Sequence, residues 1–106
     1  MPEPTNPKKQ SLMPSSPLRR KLRGAGHALA TTVQVGHDGI TPGVVAQVER
    51  ALADHELIKV KLGSECPVDR FEAAASFAAE SGVSVAQILG RTLLLYKRDP
   101  ERARYE

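Results

Sequence analysis

The stretch VQVGHDGITPGVV, residues 33–45, sets the architecture of this chain. With Thr32 before it, the stretch begins TVQV, residues 32–35, whose β-branched residues read as a short strand that Gly36 stops. Thr41 followed by Pro42 reads as a helix cap with proline in the first helical position, where a missing N–H leaves nothing unpaired. A strand that turns through GHDG straight into a helix is one β–α unit, and such a unit buries itself only against further strands.

Downstream, Val44, Val45, Val48, Ala51 and Leu52 recur at i, i+1, i+4, i+7 and i+8, the pattern of one buried helical stripe. HELIKVKL, residues 55–62, then alternates. Ile58, Val60 and Leu62 share one face of a strand and Lys59 and Lys61 the other, so one face meets the core and the other is cationic and exposed. Pro67 is expected to open a third helix with Val68, Phe71, Ala75 and Ala78 inward and Ser81-Gly82 at its end. Phe77 falls off that stripe. The run VSVAQIL-GR-TLLLYK reads as two strands joined by Gly90-Arg91, with glycine in the first position of a type II′ turn.

Upstream, Ser16-Pro17 is a second cap-and-proline pair. Leu18, Leu22 and Ala25 follow on one stripe, while Arg19, Arg20 and Arg23 lie on the other side as a basic face. Gly24 and Gly26 weaken this helix toward its end. The element order is therefore αβαβαββ, an α+β fold with a mixed four-stranded sheet packed by helices. Residues 1–16 hold four prolines among Lys, Ser and Asn and are expected to form a disordered tail. Residues 17–98 form the domain and 99–106 a charged C-terminal tail.

Composition narrows the function. No run approaches the roughly 20 apolar residues of a membrane span, and no basic segment leads into an apolar stretch near Met1, so a cytoplasmic location is expected. The single cysteine, Cys66, excludes an internal disulfide framework. The net charge is only +3, so the distribution carries more information than the total. Arg19, Arg20, Lys21 and Arg23 fall in a run without acids, and Lys97, Arg98, Arg102 and Arg104 gather near the other end. Segregated positive charge points to a polyanionic partner, against the alternative of a solvated charged surface.

GHDG precedes a helix start, where free N–H groups and the helix dipole favour phosphate. Glycines on either side let a ligand approach the backbone closely. By themselves these four residues fit an ordinary turn as well as a phosphate grip. The Lys-Ser/Thr of a nucleotide-binding P-loop and the GxGxxG pattern are both missing. His27, His37 and His55 lack zinc-ligand spacing, so no metal is expected. His37-Asp38 could act as an acid/base pair, although adjacent loop residues rarely point at one another. Cys66 beside a proline at a helix start reads as a small residue near the cap. Glu49, Asp54, Glu56, Glu72 and Glu80 read as solvated helix surface or strand ends. No catalytic constellation emerges, and neither enzymatic activity nor a cofactor is expected.

Four separated segments, LRGAGHAL, VQVGHDGITPGVV, HELIKVKL and ILGRTLLLYKR, together resemble the CRM domain (chloroplast RNA splicing and ribosome maturation) in its free-standing bacterial, YhbY-like form. The resemblance covers residues 17–98. It implies a fold similar to the C-terminal domain of translation initiation factor three, and RNA binding in assembly of the large ribosomal subunit. The family's GxxG loop falls on Gly36, His37, Asp38 and Gly39, with Ile40 and Thr41 opening the next helix. Its basic first helix falls on Arg19, Arg20, Lys21 and Arg23. Asp38 is acidic where relatives often carry a basic or neutral residue, which leaves the phosphate contact to the backbone of Gly36 and Gly39. Thr31 stands where relatives often place a proline.

The expected partner is thus RNA, namely rRNA of the precursor large subunit, bound by a monomer with ribosomal proteins as further contacts. Lys59, Lys61, Arg91, Lys97 and Arg98 extend the expected RNA surface. With four aromatic residues in the chain, base stacking across an open sheet is not expected. The rival functions are a protein-interaction adaptor using the sheet face or edge, a small enzyme using His37-Asp38 or Cys66, and DNA in place of RNA.

Overall fold

A computed structural model of the protein describes residues 16–101 and Tyr105. The tail expected over residues 1–16 and the cations Arg102 and Arg104 lie outside the described residues, as does the capping role expected of the Ser16 side chain. The elements are α1 (Ser16–Gly26), β1 (Val33–Val35), α2 (Pro42–His55), β2 (Leu57–Leu62), α3 (Arg70–Ser81), β3 (Ser84–Leu89) and β4 (Thr92–Tyr96). Their order is the αβαβαββ read from the sequence.

The sheet order is β1-β2-β4-β3. β1 pairs parallel with β2, Val33 opposite Val60 and Val35 opposite Leu62. β4 inserts antiparallel between β2 and β3, so the second strand of the terminal hairpin occupies the centre. The uninterrupted run Leu93–Tyr96 fits that place, because a central strand covered on both faces needs apolar residues at every position. Leu93 and Leu95 are buried in one cluster, and Leu94 and Tyr96 in another.

The larger cluster lies between the sheet and the helix pair α2 and α3. Val48 and Leu52 of α2 and Ala73, Ala74 and Phe77 of α3 close over Val35, Ile58, Val60, Val85 and Leu93. The smaller lies under α1, where Leu22 meets Leu57, Ala86, Leu94 and Tyr96. Helix α1 packs closely on β4: a Cβ on Gly26 would fall 2.8 Å from Leu94 Cδ2, so a side chain there would push the leucine aside. Tyr105 returns to this face and meets Tyr96 edge-on, ring centroids 6.3 Å apart. The face of β2 bearing Lys59 and Lys61 is therefore not open throughout: Leu57 on the same face is buried beneath α1, and Lys59 is half-buried.

Three local expectations are corrected. Helix α3 starts at Arg70, not at Pro67: Asp69 caps it, its Oδ1 accepting from Glu72 N–H at 2.8 Å, and the Glu72 carboxylate accepts from Asp69 N–H in return. The side of α3 that is buried carries Ala73, Ala74, Phe77 and Ser81, and the first three pack against the sheet, a stripe turned from the expected Phe71, Ala75 and Ala78. Phe77 becomes fully buried, whereas Phe71 is 41% exposed. Cys66 precedes the Asp69 cap by three positions, away from the helix start that could activate it, and packs half-buried against the core.

The acids are less uniform than their solvated reading. Glu72 belongs to the capping box just described. Glu56 is 2% exposed and stands at φ +66°, ending α2. Its backbone N–H donates to Leu52 O, its carbonyl accepts from Lys97 N–H, and its Oε2 accepts from Asp99 N–H at 2.7 Å. A buried carboxylate is tolerable only with such donors around it. Glu56 thereby ties the segment after β4 to the end of α2.

Candidate nucleic-acid interface

The strand directions bring three connections to one end of the sheet. β1, β2 and β3 all point that way, so the loops after β1 and β2 and the Gly90-Arg91 turn lie together there. Gly63 N–H donates to Val35 O and Leu62 N–H to Arg91 O, each at 2.8 Å, which stitches the three together.

Within the Gly36–Gly39 loop, Gly39 N–H turns back onto Gly36 O at 3.0 Å and Thr41 N–H onto Gly39 O at 3.1 Å. Gly39 is at φ +73°, a region that L side chains enter only with strain. Thr41 caps α2 as its type and position imply: its Oγ1 accepts from Val44 N–H at 3.1 Å and its carbonyl from Val45 N–H. Pro42 has no N–H, and the amide of Gly43 makes no hydrogen bond among the described residues, so an α2 backbone donor remains available beside the loop.

His37 and Asp38 form the exposed tip, their side chains 79% and 77% accessible. Contrary to the expectation for adjacent loop residues, they do face each other, His37 Nε2 lying 3.3 Å from Asp38 Oδ1. The Asp38 carboxylate is thus turned onto its neighbour, although a pair this exposed contributes little energy.

The predicted cations divide by position. Arg20, Lys21 and Arg23 are exposed on α1 and Arg19 is half-buried. Beyond the end of α1 a shallow groove of about 280 Å³ contains Gly26, His27, Thr31, Lys59 and Lys61. Lys61 pairs with Gln34, two residues before Gly36. A cationic path therefore runs from the end of α1 across Lys59 and Lys61 toward the Gly36–Gly39 loop. Arg91 is exposed at the loop end of the sheet. Lys97 and Arg98 follow β4 at the opposite end, a strand length of roughly 17 Å away at about 3.3 Å per residue. Lys97 Nζ there donates to Ser81 O at 3.4 Å.

Phe71, expected inward, is exposed beside Arg70, which the sequence reading did not single out. The Asp69-x-x-Glu72 capping box is the sequence signal for the true helix start, which leaves Arg70 and Phe71 in the first turn. Among the described residues no group of three or more His, Cys, Asp and Glu is placed to hold a metal ion.

Helices on both faces of a mixed four-stranded sheet, in the order αβαβαββ, define a small α+β domain. The chain belongs to the CRS1/YhbY (CRM) domain family, whose model matches residues 15–97. It is 37% identical over 83 residues to a Pseudomonas aeruginosa protein named a probable RNA-binding protein, covering 78% of this chain and 80% of that one. It is 33% identical over 88 residues to probable RNA-binding protein YqeI of Bacillus subtilis, covering 83% and 92%. An RNA-binding protein of Haemophilus influenzae is 33% identical over 87 residues, covering 82% and 88%. The solution structure of a hypothetical Staphylococcus aureus protein superposes with a TM-score of 0.75 at 26% identity, covering 89% of this chain and 98% of that one.

Proposed function

We propose that this protein is a non-enzymatic RNA-binding factor that acts in assembly of the large ribosomal subunit. The Gly36–Gly39 loop and the start of α2 grip the RNA backbone, and Arg19, Arg20, Lys21, Arg23, Lys59, Lys61 and Arg91 extend the contact. The observation that carries this reading is the loop itself: a glycine at φ +73° next to a capped helix start with an unoccupied Gly43 amide, at the end of a cationic path. Such a surface offers donors and positive field to phosphates and little to base edges, which favours structured RNA with modest sequence preference. His37 and Asp38 project away as the loop tip, so the backbone makes the grip and their side chains border it. Lys97 and Arg98 stand at the opposite end of the sheet from the loop, at the margin of this contact.

Gly36 is the place to test this. A Cβ there meets nothing within 4 Å, so Gly36→Glu adds a negative charge at the grip without disturbing the fold. Filter binding to rRNA fragments should show weakened affinity for that variant with unchanged thermal stability. Equal affinity would refute the loop assignment.

A further inference from the structure

The loop after β2, the start of α3 and the β3–β4 turn enclose an open cavity of about 580 Å³, within the size range of pockets that hold small ligands. Phe71 lines it and is 41% exposed, although phenylalanine is among the residue types most often buried. The Arg70 guanidinium carbon lies 5.1 Å from the Phe71 ring centroid, and its Nη1 donates to Gly90 O at 3.4 Å, which spans the cavity from helix to turn. Arg91 lines the opposite side. Pro67 lines the cavity too, and its ring would lie 3.2 Å from a Cβ on Gly39. Cavity and Gly36–Gly39 loop are thus neighbours across one proline.

Charge decides what fits. Asp69 stands among the arginines at the cavity wall, so the site is mixed rather than uniformly cationic. A neutral planar group with a phosphate trailing toward Arg91 suits such a mixed wall. Aromatic rings and guanidinium planes are the surfaces on which unpaired bases stack.

We propose that this cavity receives one unpaired nucleobase of an RNA whose adjacent backbone is held by the Gly36–Gly39 loop. The base stacks on Phe71 and Arg70, and Arg91 meets its phosphate. The inference rests on the RNA-binding reading and makes the protein a reader of helix-to-single-strand junctions rather than of helices alone. It also places the stacking away from the sheet, at the start of α3, where Phe71 is 41% exposed beside Arg70.

Two RNAs test it: a blunt duplex, and the same duplex with a short single-stranded adenosine tail. Wild type should bind the tailed RNA at least roughly fivefold more tightly, the scale of one stacked base. Phe71→Ala should abolish that preference and leave blunt-duplex affinity unchanged, whereas Gly36→Glu should weaken both RNAs. The chain has no tryptophan, so Phe71→Trp supplies a single fluorescent reporter that should retain the preference. Its emission should be quenched by the tailed RNA but not by the blunt one. A tail preference that persists in Phe71→Ala, a wild type indifferent to the tail, or an indole emission in Phe71→Trp blind to tailed RNA would each overturn the base pocket. If Gly36→Glu binds both RNAs as wild type does, the loop assignment falls while the pocket is still judged by the Phe71 variants. Binding of neither RNA by wild type overturns both.

Discussion

A Cβ placed on Gly39 would lie 3.2 Å from the Pro67 ring, and Gly39 holds φ at +73°. The backbone demands glycine at the second end of GHDG, and a side chain there would also press on the neighbouring loop at Pro67. Gly36 carries neither constraint. Gly39→Ala should lower stability by about 1–2 kcal/mol, the cost of left-handed backbone for an L residue, with any crowding at Pro67 adding to it. Gly36→Ala should leave stability within about 0.5 kcal/mol of wild type. Urea unfolding of the two variants separates them, and equal midpoints would contradict the loop geometry.

The two phenylalanines should differ as sharply. Phe77 is fully buried against the sheet, so Phe77→Ala should cost about 3–5 kcal/mol, a large part of the total stability of a domain this small. Phe71→Ala removes a partly exposed ring and should cost less than about 1 kcal/mol. Thermal unfolding of both variants reads the difference; a reversed order would restore the inward stripe expected from the sequence.

Asp69 gives a pH dependence with a definite sign. The backbone N–H of Glu72, then that of Phe71, hold its carboxyl below the usual value of 3.8. Because the folded state binds this proton more weakly than the unfolded chain, the cap's charge contributes fully above the unfolded value. That contribution disappears as the pH falls through the lower, folded value. The melting-temperature gap between wild type and Asp69→Ala should therefore be present at neutral pH and shrink below about pH 4. A gap that widened on acidification would contradict the capping geometry.

The cations should sort by their place in the fold. Lys61 lies one strand from the Gly36–Gly39 loop, and Lys97 at the far end of the sheet. Lys61→Ala should weaken RNA binding and reduce the slope of log affinity against log salt by about one unit. Lys97→Ala should change neither. A salt titration of both variants checks this, and equal losses would point to a broader, less organised contact.

Much of this was legible in the residues themselves. Strand and helix identities, the Thr41 cap, the two-residue Gly90-Arg91 turn and the alternation of β2 all rest on local rules, and the structure follows them. The frame of α3 did not emerge because Pro67 mimics a first helical residue, while the Asp69–Glu72 box that overrides it spans only four positions. The role of Glu56 was hidden because its partners lie far along the chain: its buried carboxylate accepts from Asp99 N–H, 43 residues further on, and its backbone carbonyl from Lys97 N–H, 41 residues on. The same holds for the site. Residues contiguous in the sequence, Gly36 to Thr41 and the α1 cations, could be read directly. The separation of Lys97 and Arg98 from them, and the cavity that Phe71 and Arg91 both line, depend on how the strands pair in the sheet.

The most direct test of the central claim is one filter-binding titration of structured rRNA with wild type, Gly36→Glu and Asp38→Asn at fixed low salt. A backbone grip at the loop predicts tenfold or greater loss for Gly36→Glu, about 1.4 kcal/mol or more, and equal or modestly tighter binding for Asp38→Asn, which removes an acid next to the phosphate. Three coincident binding curves would contradict it.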